Sequence, residues 1–291
     1  MEVVVQPCDP LALHEAVARA LDEDRAWNDV TTRAVVPVGQ QGKAVLWVHE
    51  PGVVCGLEVA RTVFAQLSEE LVFVPLVSDG FSVEMSEQIA EVSGPLAPLL
   101  SAERVALNFV QRLSGIATLT RRLVKRAAEG GSAQLVDTRK TTPGLRALER
   151  YAVRVGGARN HRNTLEDGIL IKDNHIAAAA ARGVGVAELV QEARIRAPHT
   201  LRVEIEVSDA AGAQVALAAD PDVILLDNMS PEIMRQVVGR ADHDGVLFEA
   251  SGGVTLETVR EIAATGVHLI SSGALTHSAP SLDVALDVEA S

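Results

Sequence analysis

The chain has 291 residues, 47% of them hydrophobic and 22% charged, and a formal net charge of −13 at pH 7. That length suits one large domain or a large and a small one, and that composition is typical of a folded protein. The negative charge disfavours nucleic-acid binding, because a surface that follows phosphates needs an excess of Lys and Arg. The two cysteines, Cys8 and Cys55, cannot form a disulfide framework and lack metal-ligand spacing, which indicates a reducing compartment.

No segment predicts targeting or membrane insertion. The first ten residues, MEVVVQPCDP, lack the basic start and apolar core of a signal peptide. The apolar stretch 176–181 is far too short to span a bilayer. We therefore expect a cytoplasmic protein with neither a membrane nor a nucleic acid as a partner.

The first hundred residues predict a mixed α/β region. Asp9 precedes a stretch over 11–24 whose apolar residues recur on one face, which predicts an N-capped amphipathic helix. Two strands, over 43–50 and 87–94, are predicted on either side of a helical stretch near 57–67.

A long helix is predicted next. It is expected to begin at Ser101, which can cap it with Glu103 in the first turn, and to continue toward Ala128. At the other end of the chain, the tail SLDVALDVE predicts one more strand or helix that returns to the first region.

From Gln134 onward, short apolar runs alternate with helical patterns. The runs are QLVDTR, GILIKD, RVEIEV, DVILLD, GVLFEAS and VHLISSG. The helices between them are predicted to start at Pro143 and near Val186, Asp209, Ser230 and Thr255. Apolar runs spaced by helices indicate a parallel sheet buried on both faces. Because no G-x-G-x-x-G turn follows the first run, six such units favour a β/α barrel over a dinucleotide-binding sheet.

Polar residues gather where these runs end, and the carboxyl ends of barrel strands are where such folds carry their chemistry. In chain order they are Arg139 and Lys140; Lys172; Glu204 and Glu206; Asp227 and Asn228; Ser251, Gly252 and Gly253; and Ser271, Ser272 and Gly273, with His161 and Arg162 between the first two runs. Each group alone is typical of a solvated surface or an ordinary turn. Their convergence on one edge of the sheet indicates a site.

The inferred site has a cationic wall, an acidic wall and two Gly/Ser turns that open helices. Only four of the 26 basic residues are lysine, and two of those, Lys140 and Lys172, lie at strand ends. A compact ammonium suits phosphate oxygens, and glycine-rich turns offer free N–H groups to a phosphate. The acids can hold sugar hydroxyls or a divalent cation. These features predict a phosphorylated sugar with further anionic groups and a second, negatively charged reactant.

Several segments closely resemble quinolinate phosphoribosyltransferase, in order and over nearly the whole chain. They are NFVQRLSGIAT (108–118), DTRKTTPGLR (137–146), HRNTLEDGILIKDNHI (161–176), LLDN (225–228), SGG (251–253) and GALTHS (273–278). The chain departs from the family pattern at three positions. Asn28 replaces a glycine before DVTT, Ala158 replaces the last glycine of a triplet, and Ala250 replaces a serine in ESSGG.

The resemblance implies an α/β protein of the type II phosphoribosyltransferase kind. It implies an N-terminal α/β sandwich domain over 1–112, completed by 276–291, and an incomplete, seven-stranded β/α barrel over 113–275. The implied reaction joins quinolinate to phosphoribosyl pyrophosphate with Mg²⁺ and gives nicotinate mononucleotide, pyrophosphate and CO₂ for NAD biosynthesis. The implied assembly is a homodimer in which a neighbour's N-terminal domain closes each site.

The resemblance also implies roles for individual residues. The residues implied for quinolinate's two carboxylates are Arg139, His161, Arg162 and Lys172, together with Arg104 of the partner subunit. Those implied for phosphoribosyl pyrophosphate are Thr138, Lys140, Glu206, Asp227, Ser251, Gly252, Gly253, Ser272, Gly273 and Ala274. Lys140, Lys172, Glu206 and Asp227 are expected to act in catalysis, and Glu206 and Asp227 to hold the metal, partly through water or substrate.

Three other functions fit parts of this pattern. A related phosphoribosyltransferase of the same fold could use another acid, as could the family's molybdenum-associated branch, although two carboxylate-binding arginines favour a dicarboxylate. A Schiff-base aldolase would use Lys172 as its nucleophile, and the acidic wall and Gly/Ser turns disfavour it. A non-catalytic phosphosugar-binding barrel would bind ligand and release no pyrophosphate.

Overall fold

The computed structural model describes residues 8–240 and 245–290. Its helices are α1 (Pro10–Glu23), α2 (Val30–Val35), α3 (Leu57–Leu67), α4 (Leu96–Ala128), α5 (Arg146–Gly156), α6 (Asp173–Ala180), α7 (Val186–Arg196), α8 (Ala210–Ala218), α9 (Pro231–Arg240), α10 (Val259–Ala263) and α11 (Ala274–His277). Its strands are β1 (Gln41–Val48), β2 (Gly52–Val53), β3 (Val72–Pro75), β4 (Ser82–Val83), β5 (Gln88–Pro95), β6 (Gln134–Val136), β7 (Ile169–Ile171), β8 (Val203–Val207), β9 (Val223–Asp227), β10 (Leu247–Ser251), β11 (Leu269–Ser271) and β12 (Val284–Ala290).

The chain divides into two compact units. Residues 1–121, 141–157 and 275–291 form the first, and residues 122–140 and 158–274 form the second. The domain limits expected from the sequence, 1–112 with 276–291 against 113–275, stay predictions of where independently folding domains divide.

The first unit contains an antiparallel sheet in the order β12-β1-β5-β3. Its predicted elements are confirmed: Asp9 caps α1 by accepting a hydrogen bond from the backbone N–H of Leu11 at 3.0 Å, and α3 has the predicted bounds. The tail forms β12, which pairs with β1 and so returns to the sheet of the first region, as the sequence predicts.

The long helix α4 begins at Leu96, so the prediction that Ser101 caps it is wrong. The hydroxyl of Ser101 instead donates to the backbone oxygen of Ala97 at 3.0 Å, inside the helix, and is 3.1 Å from Asp29 Oδ2. Pro98 lies in the first turn, where a missing backbone N–H leaves no helical hydrogen bond unmade. Among the described residues, neither α4 nor any shorter helix is both long and apolar enough to cross a bilayer.

The second unit contains a six-stranded parallel sheet in the order β6-β11-β10-β9-β8-β7, so all six predicted strands are confirmed. The last strand, β11, pairs with the first, β6, which is the pairing that curls a parallel sheet into a barrel. The described residues supply the expected seventh strand only as an isolated parallel bridge between Val136 and Arg159. The chain pairs with β6 at one residue there and then turns away, which leaves the barrel incomplete beside β7.

Helix α5 begins at Arg146 rather than at the predicted Pro143. The intervening residues form a turn, closed by a 3.0 Å hydrogen bond from the N–H of Leu145 to the oxygen of Thr142. Gly144 lies in this turn with φ of +81°, a conformation that prevents the helix from starting earlier. The predictions near Val186, Asp209 and Ser230 match α7, α8 and α9.

The register of the parallel sheet aligns the strand ends. Ser251 of β10 pairs with Asp227 of β9 on one side and with Ser271 of β11 on the other, and Ser271 pairs with Val136 of β6. These residues form one row across four strands. The polar segments that follow them therefore start side by side at one edge of the barrel.

Candidate active site

A buried aspartate ties the first strand end to the segment that follows α5. Asp137, with no exposed surface, accepts hydrogen bonds from Asn160 Nδ2 at 2.6 Å and from the backbone N–H of His161 at 2.9 Å. The backbone N–H of Asp137 donates in turn to the oxygen of Arg159 at 3.1 Å. Asp137 begins the DTRK motif but was assigned no role from the sequence; an acid opening a cationic motif was the available signal.

This tie brings Arg139 and Arg162 together. Burial and the charge of Arg139 lower the pKa of Arg162, against the opposing effect of Glu204. Nη1 of Arg162 donates to the backbone oxygen of Gly168 at 3.0 Å, which orients the guanidinium. Nε of Arg139 is buried and has no hydrogen-bond partner among the described residues. Because a buried donor without a partner is unfavourable, this pair is suited to an anionic ligand such as a carboxylate.

Both ring nitrogens of His161 are engaged. Nε2 lies 3.0 Å from Oε2 of Glu204 and 3.6 Å from Oε2 of Glu249, and Nδ1 accepts the backbone N–H of Arg162 at 2.8 Å. Burial lowers the pKa of His161, but the hydrogen bond to Glu204 and the two nearby carboxylates outweigh it and raise the pKa. The charge of Arg162 limits that rise. The role of His161 toward a substrate carboxylate stays a prediction.

Glu249 is the more buried of the two carboxylates that face His161, at 1% exposure, and sequence reasoning assigned it no role. Burial raises the pKa of Glu249 to about 7, helped by the charge of Glu204 and opposed by His161 and the hydroxyl of Ser271. The signal in the sequence was its position two residues before Ser251, which places both side chains on one face of the strand.

Lys172 and Glu206 form an ion pair between the ends of β7 and β8. The side chain of Lys172 is 44% exposed and that of Glu206 is 17% exposed. The ring of His175 accepts the backbone N–H of Lys172 at 2.9 Å, and the N–H of His175 donates to the oxygen of Lys172 at 2.8 Å. These two bonds hold the lysine at the strand end, where the sequence predicts it.

Asp227 and the SGG turn are interlocked through Asn228. The N–H of Asn228 donates to the oxygen of Ser251 at 2.8 Å, and its side-chain amide donates to Oδ2 of Asp227 at 2.8 Å. Gly252 has φ of +92°, and a Cβ there would lie 2.1 Å from Oδ1 of Asn228. Only glycine fits this position, so the turn and the carboxylate are fixed relative to each other.

The other polar segments lie along the same edge. The N–H of Ser272 donates to the oxygen of Val136 at 3.0 Å, and Gly273 leads directly into α11 at Ala274. At the end of β6, the N–H of Lys140 donates to the hydroxyl of Thr138 at 3.1 Å, and the side chain of Lys140 is exposed.

The turn after β10 does not open a helix, contrary to the prediction. Helix α10 begins at Val259, not near Thr255, because Thr255 and Thr258 form a side-chain-capped turn first. Thr258 also donates through its hydroxyl to the oxygen of Gly253 at 2.8 Å. Any phosphate at this turn is therefore bound by turn N–H groups without the help of a helix dipole.

Glu206 and Asp227 are not part of a preformed three-ligand cluster. In the described part of the chain, the one group of three acids or histidines close enough to share an ion is His161, Glu204 and Glu249. Two partly exposed carboxylates fit Mg²⁺, which keeps several waters and takes substrate phosphates as further ligands.

Arg104 lies on α4 in the first unit, and its side chain is exposed. Its charge lowers the pKa of Glu103, which burial raises more strongly. Its predicted role in a partner's site stays a prediction.

The fold and this edge define a class: an α/β barrel protein that binds phosphorylated, anionic small molecules at the carboxyl ends of its strands. Residues 29–114 match the N-terminal domain of quinolinate phosphoribosyl transferase, and residues 116–287 match its C-terminal domain. The chain belongs to this family, which confirms the resemblance drawn from the motifs and the fold class predicted with it.

Named relatives are similar over almost their full lengths. A Bacillus subtilis protein named probable nicotinate-nucleotide pyrophosphorylase (carboxylating) is 43% identical over 267 residues, which cover 91% of this chain and 90% of that protein. The Mycobacterium leprae nicotinate-nucleotide pyrophosphorylase (carboxylating) is 40% identical over 98% of this chain and 100% of its own. The crystal structure of NadC from Streptococcus pyogenes is 38% identical, with a TM-score of 0.91 over 98% of this chain and 99% of that one.

Proposed function

We propose that the chain transfers the phosphoribosyl group of phosphoribosyl pyrophosphate to quinolinate with loss of CO₂, giving nicotinate mononucleotide and pyrophosphate for NAD biosynthesis. The names of relatives that cover nearly the whole chain support this assignment. The observation that carries it is the buried Nε of Arg139, left without a partner beside Arg162. Two clustered guanidiniums suit a ligand with adjacent carboxylates, and quinolinate is such a ligand.

The site divides between the two substrates. Arg139, Arg162 and Lys172 are proposed to bind quinolinate's carboxylates, with His161 beside them. The proposed site for phosphoribosyl pyrophosphate consists of Thr138, Lys140, Glu206, Asp227, Ser251, Gly252, Gly253, Ser272, Gly273 and Ala274. The register row that aligns Val136, Ser271, Ser251 and Asp227 supports this division, because it sets the phosphate turns beside the DTRK segment.

Each bond change has a place in this arrangement. The bond between ribose C1′ and pyrophosphate breaks with its electron pair leaving on pyrophosphate, near the Lys140 ammonium. The pyridine nitrogen forms the new bond to C1′, while the carboxylates of Glu206 and Asp227 stabilise the positive charge that develops on the ribose. The C2–carboxylate bond then breaks and its electron pair stays on C2, where the positive charge of the adjacent pyridinium nitrogen stabilises it. CO₂ leaves, and the pair on C2 takes up a proton.

Glu206 and Asp227 are proposed to hold Mg²⁺ together with water and substrate oxygens. When bound, the ion neutralises charge on the departing pyrophosphate. The two carboxylates lie at adjacent strand ends, and Lys172 already neutralises part of the charge of Glu206. A site of this kind binds the ion together with its substrate rather than alone.

Pyrophosphate release with quinolinate, compared with nicotinate, tests the assignment. Nicotinate lacks one carboxylate and would leave part of the Arg139, Arg162 and Lys172 group unpaired, including the buried Nε of Arg139. We therefore expect discrimination on the order of 10⁴-fold in kcat/KM. Phosphoribosyl pyrophosphate alone is the control for hydrolysis. Comparable rates with the two acids would refute the dicarboxylate assignment and favour a phosphoribosyltransferase for another acid. Lys172 is partly exposed and paired with Glu206 rather than enclosed in an apolar pocket, which disfavours an aldolase, whose nucleophilic lysine is activated by desolvation.

We also propose that the active form is a cytoplasmic homodimer in which Arg104 of the partner subunit contacts quinolinate. The exposure of Arg104 on α4 leaves its guanidinium available for such a contact. Arg104→Ala and Lys172→Ala should each be nearly inactive alone. In a random mixture about half of the dimers are hybrids with one intact site each, so activity should recover to roughly a quarter of wild type. Hybrids that form but stay inactive would place Arg104 within its own chain's function.

A further inference from the structure

Two buried carboxylates of the site, those of Glu204 and Glu249, carry more negative charge than the neighbouring groups neutralise. Glu249 has neither oxygen hydrogen-bonded among the described residues, and Oε1 of Glu204 also lacks a partner there. Glu204 is 6% exposed and Glu249 is 1% exposed. Two ionised carboxylates this close and this buried are strongly unfavourable, so the group must hold a cation or an extra proton.

The hydrogen bonds of His161 show which of the two, a bound metal cation or an extra proton, the cluster holds. Nδ1 accepts the backbone N–H of Arg162 at 2.8 Å, which places the ring's own proton on Nε2. Nε2 is then a donor, 3.0 Å from Oε2 of Glu204, and has no lone pair for a metal ion. The three ligand atoms lie within 4.8 Å of one another, but their donor set is wrong for a metal. An extra proton resolves the excess charge.

Glu249 is the residue that holds this proton. Oε2 of Glu204 already receives the N–H of His161, whereas neither oxygen of Glu249 has a donor within hydrogen-bond distance among the described residues. The nearby hydroxyl of Ser271 lowers the pKa of Glu249 less than burial raises it. Its neighbours in register, Leu225 and Leu269, are apolar, so no cation on β9 or β11 compensates it. Among the described residues, the charged and titratable groups that act on the cluster are His161, Glu204 and Arg162, with Arg139 beside Arg162.

We propose that Glu249 is a positioning residue of the quinolinate site. As a neutral acid beside Glu204, it leaves one anion to fix His161 as its Nε2–H form, and His161 in turn fixes Arg162 through Nδ1. Ionised Glu249 would add a second anion facing the ring and favour the imidazolium form. That form needs a proton on Nδ1, directed at the N–H of Arg162. The segment 161–162 would then shift, and quinolinate binding would weaken. The inference rests on the proposed function only for the identity of the ligand.

The proton can be observed without any ligand. Infrared difference spectra of the wild-type protein, titrated through neutral pH, should show a carboxylic acid C=O band that disappears with an apparent pKa near 7. The band should be absent from Glu249→Gln and present in Glu257→Gln, a matched loss of one exposed carboxylate from the same segment of chain. A band that persists in Glu249→Gln would assign the proton elsewhere and overturn the proposal. Tight binding of Zn²⁺ or Mn²⁺ by wild type, lost in Glu249→Gln, would overturn it in favour of a metal site.

Quinolinate affinity measured by calorimetry tests the consequence. Wild type and Glu257→Gln should bind quinolinate about tenfold more weakly at about pH 8 than at about pH 6, the change that one ionisation near 7 gives. Glu249→Gln, a permanently neutral isostere, should lose most of this decrease. A decrease equal to that of wild type would sink the positioning role. If quinolinate binds none of the three proteins while the infrared band follows Glu249, the proposed substrate fails and the protonated acid stands.

Discussion

In the part of the chain that the structure describes, one lysine–glutamate pair in each unit joins neighbouring strands, and the two pairs differ in what surrounds them. Lys43 on β1 contacts Glu91 on β5 at 2.8 Å, with side chains 46% and 32% exposed. Lys172 after β7 contacts Glu206 on β8, whose side chain is 17% exposed. The first pair lies on an antiparallel sheet face open to water. The second lies at the edge where the barrel's polar segments meet.

The difference shows that the electrostatic effect of a lysine–glutamate pair depends on how far the pair is exposed to water. Water screens Lys43 and Glu91, so their attraction contributes little. Glu206 is nearly surrounded by protein, next to a strand face that also carries Glu204, so its charge is felt strongly by any ligand. The same two residue types therefore stabilise a surface in one unit and prepare a site in the other.

The largest expected contrast is in activity between lysine variants of the two pairs. Lys172→Met removes a substrate cation and leaves Glu206 without its partner, so we expect kcat/KM for quinolinate to fall by at least about 10³-fold. Lys43→Met, the matched control, should stay within about twofold of wild type. Steady-state pyrophosphate release measures both. A Lys172→Met enzyme with more than a tenth of wild-type activity would break the comparison.

The acids of the second unit should separate binding from chemistry. Glu206→Gln and Asp227→Asn are expected to bind quinolinate normally in calorimetry and to lose about 10²- to 10³-fold in kcat, because charge develops on the ribose only in the transition state. Weakened quinolinate binding with unchanged kcat in either variant would mean that the carboxylate acts on quinolinate rather than on the ribose.

The stability of the second unit should depend on pH through Glu249. Its pKa is raised from 4.5 to about 7, so between those values the folded protein keeps a proton that the unfolded chain releases. The folded state then binds more protons, and the free energy of unfolding falls as pH rises through this window. Glu249→Gln should avoid that loss. The free energy of unfolding of Glu249→Gln, compared with that of wild type, should rise by up to about 3 kcal/mol from below pH 4.5 to above pH 7. Urea unfolding at several pH values measures it.

A gain that does not depend on pH would show that the amide stabilises the fold by packing rather than by removing a titration. Glu257→Gln is again the control, since its carboxylate is fully exposed in a turn. The hydrogen bond of Glu257 with Thr255 lowers its pKa below 4.5, so between pH 4.5 and 7 the variant should follow the wild-type pH dependence.

The sequence predicted the features that depend on one continuous stretch of residues. The six apolar runs predicted β6 to β11, and polar residues at their ends predicted which edge holds the site. Asp137 and Glu249 were missed because their meaning lies in contacts across the fold. An acid in an apolar run does not show by itself that it will contact His161. Only the folded side chains show that Glu249 on β10 lies close to Glu204, two strands away on β8. The prediction at Ser101 was wrong for a different reason: serine is a good helix-capping residue, but this one lies inside a helix that begins five residues earlier, at Leu96.

The smallest expected effect is the coupling free energy between Lys43 and Glu91. A double-mutant cycle with Lys43→Met and Glu91→Gln should give a coupling energy below about 1 kcal/mol, because both side chains remain hydrated and mobile when unpaired. Unfolding in urea at low and at high salt measures it, and the coupling should shrink with salt as water and ions screen the exposed charges. The same cycle on Lys172→Met and Glu206→Gln should give a larger coupling that salt changes less, since protein excludes much of the solvent around Glu206. Equal couplings with equal salt dependence would mean that the two pairs have the same environment, and the surroundings of Glu206 would then not explain the difference in activity between the two lysine variants.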